Sequence, residues 1–302
     1  MKSLTVAYIS ARRDPLLGWF MDSLTSQLAG DKIAVQYVGV HSPIVWEVKP
    51  EWPTVEMAQP KPTVWQGPHR LTKEDWWAVS NARNTAVCLC KTEWIAFCDD
   101  RCVLLPGWLD AIRRAIDGNY AVFGAYEKRT GMRVANGVIV HGGIVTGEDS
   151  REAHIKANNL ATPYKCPGEW AFGCNLALPL EWALRVNGYE ELMDGLSAED
   201  VVFGKHLQNR GLDIRYDPSM KIIEDRTPEE LGTPMKRTSK ERWPHDSEDK
   251  GHKALAMFCK EKQTLHQWNL RGIRHSVLRG EPWPVPTSPT HDWFDGQALA
   301  EM

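Results

Sequence analysis

The chain has 302 residues, 25% of them charged, with a net charge of −3 at neutral pH. That length suits one large α/β domain, or a core with an appended subdomain, and it can bury a substantial hydrophobic interior. The balance of charge excludes a global basic field of the kind that draws nucleic acid or anionic membrane, and no run of eighteen apolar residues forecasts a membrane span.

Residues 3–10 read as a first, buried strand, without the long apolar region and cleavage site of a signal peptide. Asp14-Pro15 then opens an amphipathic helix, proline being tolerated in a first turn, and Leu16, Leu17, Phe20, Leu24 and Leu28 recur on one face. Gly30-Asp31 ends it, and 33–40 is a second strand. Strand, helix, strand predicts a parallel sheet with a right-handed crossover. Residues 41–73 have little period and much Pro and Trp, as lids and binding loops do.

A helix over 75–90 precedes a strand over 93–98, and 106–116 forms another helix with Trp108, Leu109 and Ile112 inward. Residues 120–126 and 134–145 pattern as strands, the second broken by Gly142-Gly143, and 146–168 as a loop. Short helices are expected at 180–186 and 201–208, and short strands at 214–217 and 220–223. Beyond Asp225 the chain is charged and irregular up to a helix near 250–260. The tail from Gly280, rich in Pro, Trp and Asp, lacks the period of a domain. The division expected is a core over 1–225 and an extension over 226–302 that packs on it.

Seven cysteines, an odd number and several within apolar runs, read as reduced structural thiols and so as a cytoplasmic protein. Cys88 and Cys90 have the wrong spacing for a zinc knuckle. Trp46, Trp52, Trp65, Trp76, Trp77, Trp170, Trp243, Trp283 and Trp293 lie in polar or Pro-rich surroundings. There they clamp loops to the core or offer flat faces to sugar rings or bases.

Two acidic pairs carry the chemistry. Asp99-Asp100 directly follows the apolar run 94–98, so a buried strand ends in two carboxylates. Open α/β sheets bind ligands at the carboxyl ends of their strands, and acids there suit a divalent cation and a phosphate ester. Glu199-Asp200 opens a helical stretch, where one acid can cap the helix and the other can act as a base. Together they suggest an enzyme acting on a sugar nucleotide.

The pattern around these pairs is familiar. Glu93-Trp-Ile-Ala-Phe-Cys-Asp-Asp-Arg-Cys-Val-Leu-Leu-Pro-Gly-Trp-Leu109 resembles the strand, acidic motif and following helix of family-2-type glycosyltransferases with the GT-A fold. Gly173-Cys-Asn-Leu-Ala-Leu-Pro179, Asn187-Gly-Tyr-Glu-Glu191 and Ala198-Glu-Asp-Val-Val-Phe-Gly204 follow in that family's order, and Ser10 to Leu24 resembles its donor loop and first helix. The resemblance covers about residues 3–225 and extends to bacteriophage chains, which would place the protein in the cytoplasm of a bacterial host. It implies a GT-A, Rossmann-like, mixed but mostly parallel sheet flanked by helices, with an irregular C-terminal extension.

The same resemblance implies a metal-dependent hexosyltransferase using a nucleotide-sugar donor, by default a UDP-sugar, with Mn²⁺ or Mg²⁺ as cofactor. Asp100 is the expected metal ligand, with Asp225 as second ligand in a position where relatives often carry a histidine; His245 and His252 are weaker candidates. Arg101 departs from the family, which usually has a third acid there; a cation ligates no metal, so either Asp100 supplies that side with help from later residues, or Arg101 itself pairs with the phosphates. Asp200 is the candidate base, for an inverting reaction, with Glu199 beside it.

Ser10, Arg12, Asn81, Asn84 and Asp99 are nominated for the nucleotide, Gly173 and Asn175 for the donor sugar, and Glu169 and Trp170 for the acceptor. Asn81 and Asn84 have a local hydrogen-bonding alternative. Residues 236–243, the densest basic run, form a solvated loop, a cover for the diphosphate or a contact with DNA. The acceptor is a protein or glycan hydroxyl, or a hydroxymethylated pyrimidine in phage DNA. Two other readings stay open: a non-catalytic nucleotide-sugar or carbohydrate-binding module, and a Mg²⁺-dependent nucleotidyltransferase or phosphohydrolase.

Overall fold

The structure, a computed structural model, describes residues 3–43, 48–63, 78–194, 198–227, 255–265 and 269–284. A ten-stranded sheet organises it. Strands β1 (Leu4–Ser10), β2 (Ile33–Gly39), β3 (Val55–Ala58) and β4 (Trp94–Asp99) run parallel, with β1 between β2 and β4. β11 (Asn175–Pro179) lies antiparallel between β4 and β6 (Ala121–Thr130), and β12 (Ile214–Asp225) runs parallel to β6. β5 (Cys102–Leu104) and β10 (Tyr164–Lys165) pair with β12, and β9 (Ile144–Glu148) with β6. A separate two-stranded sheet joins β7 (Arg133–Ala135) to β8 (Val138–His141).

Every residue of β1 is buried, as expected of a parallel strand covered on both faces. On one face pack α1 (Leu17–Thr25) and α3 (Trp108–Gly118), through Leu17, Phe20, Leu24, Trp108, Leu109 and Ile112. The other face is covered by α2 (Val79–Leu89), α5 (Leu180–Arg185), α6 (Glu199–Asn209) and α7 (Leu270–Leu278). Because β1 sends its connection to one side and β4 lies on the other, their carboxyl ends meet at a topological switch, the place where such sheets bind ligands.

Local departures from expectation have physical causes. α1 starts after Asp14-Pro15, because Leu16 takes a left-handed conformation and its N–H bonds the Asp14 side chain. β3 lies within the region expected to be loop. The span 146–168 contains α4 (Ser150–Ala157), capped by Asp149; only Arg151 and Ile155 are buried, so no apolar stripe marks it. The two short strands expected near 214 and 220 are one strand with a bulge between Asp217 and Lys221. One helical turn occupies 255–258 of the helix expected near 250–260; residues 250–254 lie outside the described residues.

All seven cysteines are free thiols, six of them buried. Trp52 clamps its loop to α1 by donating to Asp22 Oδ1 at 2.8 Å. Trp283 packs against the core, whereas Trp46, Trp65, Trp76, Trp77, Trp243 and Trp293 lie outside the described residues. Among the described residues no helix is long and apolar enough to cross a membrane.

Candidate active site

At the end of β1, Ser10 Oγ donates to Asp100 Oδ2 at 2.5 Å, and Arg12 Nε lies 3.3 Å from Asp100 Oδ1. The Arg12 N–H in turn donates to Ser10 Oγ at 3.0 Å. Burial pushes the Asp100 carboxyl up to about 6, with Arg12 opposing the shift. The neighbouring Asp99 turns the other way and meets Arg83, whose Nη2 is 3.2 Å from Asp99 Oδ1.

Arg83 is the residue that sequence reasoning passed over. It sits on α2, only 3% exposed, and its Nη1 donates to Glu199 Oε1 at 2.8 Å. One guanidinium thus bridges the two acidic pairs. Burial works against its charge, but Asp99 and Glu199 outweigh that and hold its pKa above the ordinary value. Its Nε has no hydrogen-bond partner among the described residues. The signal available was its position, midway between Asn81 and Asn84 in a helix with no apolar period, where a buried charge must have a carboxylate partner.

Asp200, in the first turn of α6, accepts from the Gly173 N–H at 3.0 Å and from the Val201 N–H at 2.8 Å. Burial and then the Glu199 charge push its pKa up to about 6, with Arg83 opposing. A carboxylate poised near neutrality suits a general base. Gly173 is hemmed in by Arg83, and Cys174 follows it with a carbonyl that accepts from the Asp99 N–H at 3.3 Å. Gly173, Asp99, Arg83, Glu199 and Asp200 therefore form one continuous surface.

At the end of β12, the expected second metal ligand Asp225 is engaged in an ion pair. Asp225 Oδ2 lies 2.6 Å from Arg101 Nη2, its Oδ1 accepts from Thr227, and its N–H bonds the Arg101 carbonyl. Adjacent strand residues face opposite ways, so Glu224 is the acid turned towards Asp99 and Asp100. Burial, and then the charges of Asp99 and Asp100, push Glu224 up to about 7, with Arg226 acting against them. Glu224 Oε1 lies 2.8 Å from Arg226, and its buried Oε2 has no hydrogen-bond partner among the described residues. Arg101, in a left-handed conformation, is thereby paired with Asp225.

A hard divalent ion can be held by one or two carboxylates, with water and substrate phosphates completing its shell. Asp100 and the orphaned oxygen of Glu224 are the carboxylates at this edge that such an ion could use. Among the described residues, no group of three or more His, Cys, Asp and Glu is placed to hold a metal ion.

Several nominated residues are engaged in packing. Asn175 accepts from Trp108 Nε1 at 2.9 Å and donates to the carbonyls of Ala125 and Met220, the latter beside the β12 bulge. It thereby plugs the sheet between β6, β12 and α3. Asn84 donates to Tyr189 O and Glu191 Oε1 and accepts from the Tyr189 N–H, latching α2 to the turn at 187–191. Asn81 donates to Lys61 O at 2.8 Å, and its buried Oδ1 has no partner among the described residues.

Trp170 packs edge-on against His154 and Tyr216, so its ring is no open platform. Glu169 reaches outward to Lys205 at 3.1 Å. The basic run 236–243, His245 and His252 lie outside the described residues.

No family model matches the sequence. No curated protein matches it either. Solved structures do. Residues 1–349 of S. aureus TarS superpose over 74% of this chain and 60% of that one, at 13% identity and a TM-score of 0.51. The same protein in complex with UDP matches over 85% of this chain and 70% of that one, at 12% identity and a TM-score of 0.50. Its complex with UDP-GlcNAc matches over 97% and 75%, also at 12% and 0.50. The chain thus spans 60% of the first of these structures. Likeness at this level of identity speaks for architecture: the chain has a GT-A-like glycosyltransferase fold, a mixed, mostly parallel sheet flanked by helices.

Proposed function

We propose that the chain is a metal-dependent glycosyltransferase that moves a hexose from a nucleoside diphosphate donor, by default a UDP-sugar, to an acceptor hydroxyl. The observation that carries this reading is the Arg83 bridge, 3.2 Å from Asp99 and 2.8 Å from Glu199, which brings acids a hundred residues apart to one edge of the sheet. A nucleotidyltransferase or phosphohydrolase needs the first pair alone. The UDP and UDP-GlcNAc complexes of the structurally similar TarS favour a uridine donor.

Asp200 takes the proton of the acceptor hydroxyl as that oxygen bonds the anomeric carbon with inversion. The anomeric carbon–phosphate oxygen bond breaks, and its electron pair leaves on the nucleoside diphosphate. The Gly173 N–H fixes Asp200 Oδ2, and Glu199, held by Arg83, raises its basicity. Ser10 and Arg12 orient Asp100. A Mn²⁺ or Mg²⁺ ion bound by Asp100 and Glu224 would neutralise the diphosphate. The acceptor is a hydroxymethylated pyrimidine of phage DNA, or a protein or glycan hydroxyl, and the chain works in the cytoplasm, as a core over 1–225 with an extension over 226–302.

The test is a screen of UDP-, GDP- and CMP-sugars with and without Mn²⁺, following nucleotide release. Metal-dependent release of a nucleoside diphosphate from one donor, abolished by Asp100→Ala, is expected. Release of inorganic phosphate or pyrophosphate, or no binding of any nucleotide-sugar, overturns the reading.

A further inference from the structure

Of the two basic residues on β6, one faces the acidic cluster. Lys128 lies opposite Glu224 and Arg129 opposite Asp225 in the parallel β6/β12 register, so the two pairs occupy opposite faces. On the Arg129 face the charges are matched locally: Arg129 Nε lies 2.5 Å from Glu127 Oε1, and Lys221 reaches both Glu127 and Glu152. On the other face each acid has its own arginine. Asp100 has Arg12, Asp99 has Arg83 and Glu224 has Arg226.

Lys128 is left over. Among the described residues it has no ion-pair partner; its Nζ lies 5.0 Å above the Tyr126 ring, and its stem crosses Gly147 of β9, 3.5 Å from where a Cβ there would stand. Tyr126 rests on Phe172, next to Gly173, so this ammonium stands on the floor that leads to Asp200. A half-buried lysine held on an aromatic ring, its charge felt by Glu224 but paired with no acid among the described residues, is a point charge that can meet an anion from outside, and a phosphate is the anion lysine serves in this way.

We propose that Lys128 contacts a non-bridging oxygen of the donor's diphosphate, steadying the charge that the nucleoside diphosphate carries away. This rests on the transferase reading above.

Binding of UDP, of uridine and of a single-stranded DNA oligonucleotide would be measured with Mn²⁺ for the wild type, Lys128→Met and Lys128→Arg, with thermal melts as a folding control. Loss of one charge-assisted contact predicts that Lys128→Met weakens UDP roughly tenfold to a hundredfold. Uridine affinity should stay unchanged, and Lys128→Arg should recover most of the loss. UDP binding equal to wild type in Lys128→Met overturns the inference alone. Unchanged UDP binding with weakened oligonucleotide binding also overturns it, by moving the contact to an acceptor phosphate. A wild type that binds no nucleoside diphosphate overturns the inference and the donor reading together.

Discussion

A Cβ at position 173 would stand 2.3 Å from the guanidinium carbon of Arg83. Glycine on the loop and arginine on α2 are therefore matched, and the match holds Asp99, Glu199 and Asp200 in one arrangement. Gly173→Ala must displace either the guanidinium or the loop N–H that fixes Asp200. Misplacement of catalytic groups by about 1 Å costs on the order of a hundredfold in rate, and that loss in kcat is the expected outcome. Steady-state kinetics with the donor found by the screen would check it; a rate near wild type would contradict the matched geometry.

Asp200→Asn is expected to keep donor affinity while kcat falls by roughly 10² to 10⁴, the usual contribution of a general base. The base works deprotonated, and its pKa is pushed up to about 6. Wild-type kcat should therefore rise with pH through about 6 and level off above it. The residual rate of Asp200→Asn should lack that limb.

Glu224→Gln should change stability in a pH-dependent way. The folded pKa of about 7 exceeds the ordinary 4.5, so folding favours the neutral acid. Its contribution is fully present below about 4.5 and is lost as pH rises through 7. At pH 8 the variant should be the more stable by up to about 3 kcal/mol, reduced by loss of the Arg226 contact, and at pH 4 the two should melt together. Added Mn²⁺ should reverse the order at pH 8 by stabilising only the wild type. Melting curves at the two pH values, with and without Mn²⁺, decide it.

Arg101→Met removes one partner of a 2.6 Å buried pair and strands Asp225. An uncompensated buried charge costs about 3–5 kcal/mol, which denaturant unfolding would register. Arg101→Met combined with Asp225→Asn should recover part of the loss. A single variant as stable as wild type would mean that the pair contributes no net attraction.

Much of the fold was legible in the chain because its buried strands and helices carry the periods that burial imposes. β1, β2 and β4 are apolar runs, and α3 turns Trp108, Leu109 and Ile112 inward. α4 was hidden by its polar face, and β3 by the irregular sequence around it. The acids Asp99, Asp100, Glu199 and Asp200 stood out because each pair follows or opens an element that places it at an end of the sheet. Arg83 ends no strand and opens no helix, and its only signal was a charge within α2, which is buried from Ser80 to Cys88 and has no apolar face to set it apart.

The sequence by itself determined the strands β1, β2 and β4, the order of motifs and the two acidic pairs, since hydrophobic periodicity and local turn chemistry act over a few residues. Only the tertiary structure decided how the acids at the edge of the sheet are partnered. Strand alternation turned Glu224 towards Asp99 and Asp225 towards Arg101, and cross-chain packing consumed Asn84 and Asn175. Those choices depend on hydrogen-bond partners from 45 to 124 residues away, whose positions no local pattern records.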